Sequence, residues 1–128
     1  MAEKAVYAIL SGDSNTSTTA TGGIFADVVE QGQSAPFVVY RLTDVSPEPT
    51  KDGASDFDKY ELEVASITKS EEGSDTLAGY VKTALNDYSG TAGGVVVSGV
   101  VWQEKRGYYD EDSELFIREQ DFEIIVKP

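Results

Sequence analysis

The sequence predicts an α+β fold: a single-domain, two-layer sandwich spanning residues 1–128. Its mostly antiparallel sheet of two hairpins carries two helices on one face, in the order α-β-β-β-α-β-β. Three observations predict it. Helical spacing of apolar residues appears in only two places, near the start of the chain and in its centre. On either side of the central helix lies a pair of runs rich in β-branched and aromatic residues, each pair split by a polar turn. The length of 128 residues suits one core, since area scaling leaves about two-thirds of the unfolded chain's surface buried.

Residues 4–10 place Ala5, Val6, Ile9 and Leu10 at helical spacing, and Ser11-Gly12 stops the helix. Residues 13–21 are almost entirely Ser, Thr, Asn and Ala, which have little to bury, and read as a mobile loop. Ile24-Phe25 reads as a short strand that Val28-Val29 extends, before Gly32 and Pro36 break the run. Residues 36–44, with Phe37-Val38-Val39-Tyr40-Arg41-Leu42, read as a strand. Ser46-Pro47-Glu48-Pro49-Thr50-Lys51-Asp52-Gly53 is a turn-rich connection to a second strand at 56–68, where Tyr60, Leu62 and Val64 alternate with Glu61 and Glu63.

Ser70 is a helix cap followed by Glu71, Glu72 and Asp75, acids favoured at the positive end of a helix dipole. Leu77, Tyr80, Val81, Ala84, Leu85 and Tyr88 then lie along one helical face, up to the glycine-rich turn at 89–94. Residues 95–103 and 114–127 form the second hairpin, with Asp110-Glu111-Asp112 in its loop.

Composition excludes most chemistry. With no His and no Cys, the chain has no imidazole base, no thiolate nucleophile, no disulfide and no His or Cys zinc site. Gly12-Asp13-Ser14-Asn15-Thr16 lacks the second glycine and the buried strand of a nucleophile elbow, and the glycines at 90–94 and 99 match neither a dinucleotide fingerprint nor a P-loop. The carboxylates at 110–114, and Asp52, Asp56 and Asp58, lack the spacing of a calcium loop and read as solvated turns. No catalytic residue, cofactor or metal is assigned.

Met1-Ala2-Glu3-Lys4 is not the start of a secretory signal, so Asn15-Thr16-Ser17 is a chance sequon match. The nearly apolar run 95–102 is far short of the roughly 20 residues that span a bilayer. A soluble protein in a reducing, intracellular setting is expected, without membrane contact.

Trp102, Tyr7, Tyr40, Tyr60, Tyr80 and Tyr88 sit where packing explains them. Tyr108 and Tyr109 differ: they stand beside the acidic turn, outside any periodic element, as partner anchors do. The candidate contact residues are Tyr108, Tyr109, Asp110, Glu111 and Asp112 in the second hairpin, with Pro47, Glu48, Pro49, Lys51 and Asp52 in the first hairpin's loop. On these grounds alone an acidic intracellular module that binds a protein through a sheet edge or the Tyr108-Tyr109 loop is an open alternative.

Gly23-Ile24-Phe25-Ala26-Asp27 followed by Ala35-Pro36-Phe37-Val38-Val39-Tyr40 resembles the opening of the tail completion (tail terminator, head-tail joining) proteins of tailed bacteriophages. Leu77-Ala78-Gly79-Tyr80-Val81-Lys82-Thr83-Ala84-Leu85 is similar to that family's central helix. Tyr108-Tyr109-Asp110-Glu111-Asp112 with Asp121-Phe122-Glu123-Ile124 is similar to its closing hairpin. Ala26 departs from the family's proline, and the polar stretch 13–21 is longer than usual. The resemblance implies a non-enzymatic virion or prophage protein, made in the bacterial host cytoplasm. It implies a ring, commonly of six copies, that caps the head-proximal end of the tail tube and stops its elongation. The implied partners are further copies, the major tail tube protein and a head connector or neck protein.

The 23 Asp and Glu outnumber the 10 Lys and Arg for a net charge of −13, and Lys105-Arg106 is the sole adjacent basic pair. Affinity for nucleic acid comes largely from cations that neutralise phosphates. The purified protein is therefore expected to leave a duplex DNA fragment unshifted in a native gel at about 50 mM salt. Saturable micromolar binding would contradict this.

Overall fold

The computed structural model of the chain describes residues 2–47 and 57–127. Helices α1 (Ala2–Gly12) and α2 (Ser14–Thr19) precede strands β1 (Ile24–Ala26), β2 (Phe37–Pro47) and β3 (Asp58–Thr68). Helix α3 (Glu71–Leu85) and strands β4 (Gly90–Ala92), β5 (Val95–Asp110) and β6 (Leu115–Lys127) complete it. Among the described residues, one six-stranded sheet has the order β1-β2-β3-β6-β5-β4, with the β1–β2 pair parallel and the other pairs antiparallel. The predicted order of elements is present, with α2 and β4 added to it.

Each of the two hairpins follows from alternation. In β3, Leu62 and Val64 are buried and point to the same side as Phe122, Ile124 and Val126 of β6. These side chains, with Val38, Tyr40, Val97 and Val100, meet Ala5, Val6, Ile9 and Leu10 of α1 and Leu77, Val81 and Leu85 of α3 in one core. Pairing of β3 with β6 joins the hairpins without a bulge from Asp58↔Val126 to Thr68↔Phe116. At the sheet's other end Gly93 and Gly94, with φ 56° and 78°, turn β4 into β5. A side chain at Gly93 would collide with the Lys4 carbonyl of α1, so glycine there also allows the helix to approach.

Helix α3 starts as its sequence predicts, with the Ser70 hydroxyl accepting from the Gly73 N–H at 3.0 Å. It ends at Leu85, so Tyr88 is not on its stripe. Asn86 leaves the helix and its side-chain oxygen accepts from the Trp102 N–H at 3.0 Å, while Asp87 adopts φ 65°.

Residues 13–21 are not a loop throughout. The Asp13 carboxylate accepts from the Thr16 N–H at 2.9 Å and its hydroxyl at 2.7 Å, which nucleates α2 and buries Thr16 completely. Val28-Val29 does not extend β1. Asp27 turns the chain at φ 65° and donates its N–H to the Tyr40 carbonyl at 2.9 Å, leaving Val28 exposed. Strand β2 runs on to Pro47 across a bulge between Leu42 and Asp44, β3 begins at Asp58, and β5 extends to Asp110.

One polar side chain ties three elements together inside the core. Gln120 of β6 is 1% exposed, donates to the Ala78 carbonyl of α3 at 3.0 Å and accepts from the Trp102 indole N–H of β5 at 3.0 Å. Gln120→Leu keeps the volume but leaves the Trp102 indole N–H without its acceptor, while the Ala78 carbonyl keeps its partner one helical turn on, at about 1–3 kcal/mol for the buried orphan. Its urea midpoint is expected to fall by the equivalent of roughly 1–3 kcal/mol, measured by Trp102 fluorescence. An unchanged midpoint would mean that water reaches this group.

Candidate interaction surface

Helices cover one face of the sheet, so every second residue of its long strands points to a face that no helix among the described residues covers. Strand register arranges these residues in rows that cross β2, β3, β6 and β5. The first is apolar: Phe37, Ile67, Ile117, Tyr108. Below it come Val39, Ala65, Glu119, Arg106, then Arg41, Glu63, Asp121, Glu104, then Asp44, Glu61, Glu123, Val101.

The open face is therefore acidic, and like charges stand directly opposite one another at Glu63/Asp121, Glu61/Glu123 and Asp44/Glu61. Such pairs destabilise a sheet unless a cation lies between them. Arg106 supplies it for the upper rows: its guanidinium reaches Asp121 at 2.8 Å, Glu63 at 2.9 Å, Glu119 at 3.2 Å and Glu104 at 3.4 Å. Arg41 adds a second contact to Glu63 at 2.6 Å, and Lys59 approaches Glu123 at 3.7 Å.

Titration follows this geometry. The hydrogen-bonded Arg106 guanidinium holds the Asp121 carboxyl below the usual carboxylate range. Partial burial, and then the facing Glu123, push Glu61 up. Partial burial and the Glu119 carboxylate do the same to the Tyr108 phenol.

The second feature is the end of the β5–β6 hairpin, where the candidates Tyr108, Tyr109, Asp110, Glu111 and Asp112 gather. Tyr108 and Tyr109 are not in its loop. They lie within β5, roughly half exposed, with Tyr108 opposite Ile117 on the open face and Tyr109 on the helix-bearing face. The Tyr109 ring packs on Phe116 with centroids 4.8 Å apart. The tip is an ordered turn: the Asp110 carboxylate accepts from the Asp112 N–H at 3.3 Å and the Ser113 hydroxyl at 2.8 Å, and its carbonyl accepts from Glu114 N–H at 2.8 Å.

Lys105 and Arg118 both reach Asp75 of α3, at 3.0 and 2.8 Å, and so fasten the hairpin to the helix. Their guanidinium and ammonium groups hold Asp75 below its ordinary pKa. Of the first-hairpin candidates, Pro47 ends β2, while Glu48, Pro49, Lys51 and Asp52 lie outside the described residues.

Sequence reasoning missed Arg106 and the carboxylates it gathers. Their signal was present as a matching alternation of acids, at 61 and 63 in one strand and 119, 121 and 123 in the other. Among the described residues, no group of three or more Asp or Glu is placed to hold a metal ion, and no helix is long and apolar enough to cross a membrane.

Fold and surface together define a small α+β protein with an open, acidic sheet face and an ordered hairpin end. The sequence profile described as tail completion protein gp17 matches residues 4–127. The chain belongs to this family of bacteriophage tail structural proteins. In a solved structure described as the virion of a native gene transfer agent (GTA) particle, one chain is similar with a TM-score of 0.79 and 20% identity. The likeness covers 97% of this chain and 92% of that one, and at this identity it is a likeness of fold. A comparison with curated proteins gives no match.

Arg106→Ala would leave the facing carboxylates without their shared cation. The side chain is 41% exposed, so screening by water keeps the expected cost near about 1 kcal/mol at pH 7. An Asp whose folded pKa is lowered contributes stability above its unfolded pKa and loses it as pH falls through the folded value. The gap between variant and parent should thus be full at pH 7 and shrink from about pH 5 to pH 3. Thermal melts across that range measure it, and a gap independent of pH would refute the electrostatic account.

Proposed function

We propose that this protein assembles as a ring, of six copies, at the head-proximal end of a tail tube, where it stops elongation and forms the joint to the head. The single observation that carries this reading is the family match across residues 4–127. Residues 1–128 act in it as one domain. Its partners are other copies of itself, the major tail tube protein and a head connector or neck protein. It has no enzymatic activity and uses no cofactor, as suits a chain without His or Cys whose charged groups are spent on one another. It is made in the cytoplasm of a bacterial host and leaves in the virion.

Electrostatics supports a division of labour between the two features of the surface. A channel that passes DNA works best when its wall repels phosphate, and charges act over only about 8–10 Å at ordinary salt, so the wall itself must carry them. The open face, with Asp44, Glu61, Glu123 and the cage around Arg106, suits that wall. The hairpin end, with Tyr108, Tyr109, Asp110, Glu111 and Asp112, suits a protein contact, since it joins exposed aromatics to an ordered turn. Pro47, Glu48, Pro49, Lys51 and Asp52 form the second contact segment.

Electron microscopy of tails made with and without the gene tests the function. Without it, tails of irregular length that fail to join heads are expected. Tails of normal length that join heads normally would refute the role.

A further inference from the structure

Resting on this reading of a ring, we infer that copies of the chain join edge to edge, with the free half of β5 of one copy pairing antiparallel with the free half of β2 of the next. The outer side of β2 is covered by β1 from Val38 to Tyr40, and the Tyr40 carbonyl takes the Asp27 N–H. From there on, the outer side of residues 41–47 has no strand beside it among the described residues. The outer side of β5 pairs with β4 from Val95 to Val97, Asp87 N–H donates to the Val100 carbonyl, and Asn86 takes the Trp102 N–H. From there on, the outer side of residues 103–110 likewise has no strand beside it among the described residues. Apart from the Val45 N–H, which donates to the Asp44 carboxylate at 2.9 Å, such an open row of backbone donors and acceptors is a template for a further strand.

Three properties make a second copy the occupant. The first is length, because the two free stretches are nearly equal. The second is polarity. From β2 through β3 and β6 to β5 every step is antiparallel, so β2 and β5 run in opposite directions. A second copy placed alongside in the same orientation therefore presents its β2 antiparallel to the first copy's β5. Such a contact joins two different surfaces head to tail, which is the kind that closes rings.

The third property is position. Arg41 shares a row with Glu104, and the free stretches run away from that row toward opposite ends of the sheet. Unshifted pairing would drive β1 of one copy into β5 of the other. A shift of roughly 20 Å along the strands, about half a strand, aligns the free halves and clears both β1 and β4. A sheet that closes on itself needs such a stagger because its strands tilt. The joint would also give cross-strand neighbours to Tyr108, Tyr109 and Val45, each between 46% and 52% exposed in the single chain.

The chain has no cysteine, so disulfides can report the joint. Val45 pairs with Tyr60, and Lys105 and Tyr109 pair with Gln120 and Phe116, all on the helix-bearing face, whereas Tyr108 lies on the open face. Within one chain β2 and β5 are three strand spacings apart, about 14 Å, well past the roughly 7 Å limit for a disulfide. Any bond between them must therefore link two copies.

Tails assembled with Val45→Cys plus Lys105→Cys, or Val45→Cys plus Tyr109→Cys, are oxidised and run on denaturing gels without reductant. A covalent ladder beyond the dimer is expected from at least one pair. Much less is expected from Val45→Cys plus Tyr108→Cys, whose side chains lie on opposite faces. Rings visible at tail ends without any ladder would overturn this joint and leave the proposed function standing. Dimers from Lys105→Cys alone would overturn it in favour of a two-fold β5–β5 contact. Tails that carry no ring at all would remove the proposed function and this joint together.

Discussion

The structure depends on one pairing, β3 against β6, held in a single register from Asp58↔Val126 to Thr68↔Phe116. That register faces Leu62 with Phe122 and Tyr60 with Ile124 beneath the helices, and Glu63 with Asp121 and Glu61 with Glu123 on the other face. A slip of one residue would exchange the two sets, exposing the core and burying carboxylates. Burial of unpaired charge costs several kcal/mol per group, comparable with the whole stability of a small domain. The acids thus help to specify the fold even though they add little to its stability.

The same register creates the molecule's main electrostatic cost. Three like-charged pairs stand opposite one another, and one guanidinium bridges most of the upper rows. Below it, among the described residues, Asp44, Glu61 and Glu123 share Lys59, which approaches Glu123, and Glu61 is raised by partial burial and by Glu123. A fold selected for stability alone has little reason to retain such a row. A wall that must repel phosphate does, and this links the energetics of the sheet to the proposed role in a tail.

The β5–β6 hairpin is held as a rigid extension of the core. Gln120 ties its base to α3 and Trp102, and Lys82 of α3 lies 3.8 Å from the Trp102 ring centre. Further out, Asp75 accepts from both Lys105 and Arg118, and at the end Tyr109 packs on Phe116. Few of these contacts are local in sequence. The hairpin therefore presents its aromatic residues in a fixed geometry, which would lower the entropy lost in the contact proposed for it.

The sequence alone determined the class of fold, the order of its main elements and the Ser70 cap, because apolar periodicity and capping are local properties that survive without knowledge of tertiary contacts. It also carried the family resemblance, and it placed Tyr108 and Tyr109 near the acidic turn. Tertiary structure decided the rest. Residues 13–21 read as a loop because their composition buries little, yet a single cap and packing against α1 and α3 order α2. The end of α3 depends on an Asn86 contact to Trp102, a residue in another strand. Strand β5 outran its apolar pattern because β6, itself held by β3, supplies a ladder along which charged residues can pair. Arg106 became the hub of the open face for the same reason: its partners come from β3, β5 and β6, and only register brings those strands together.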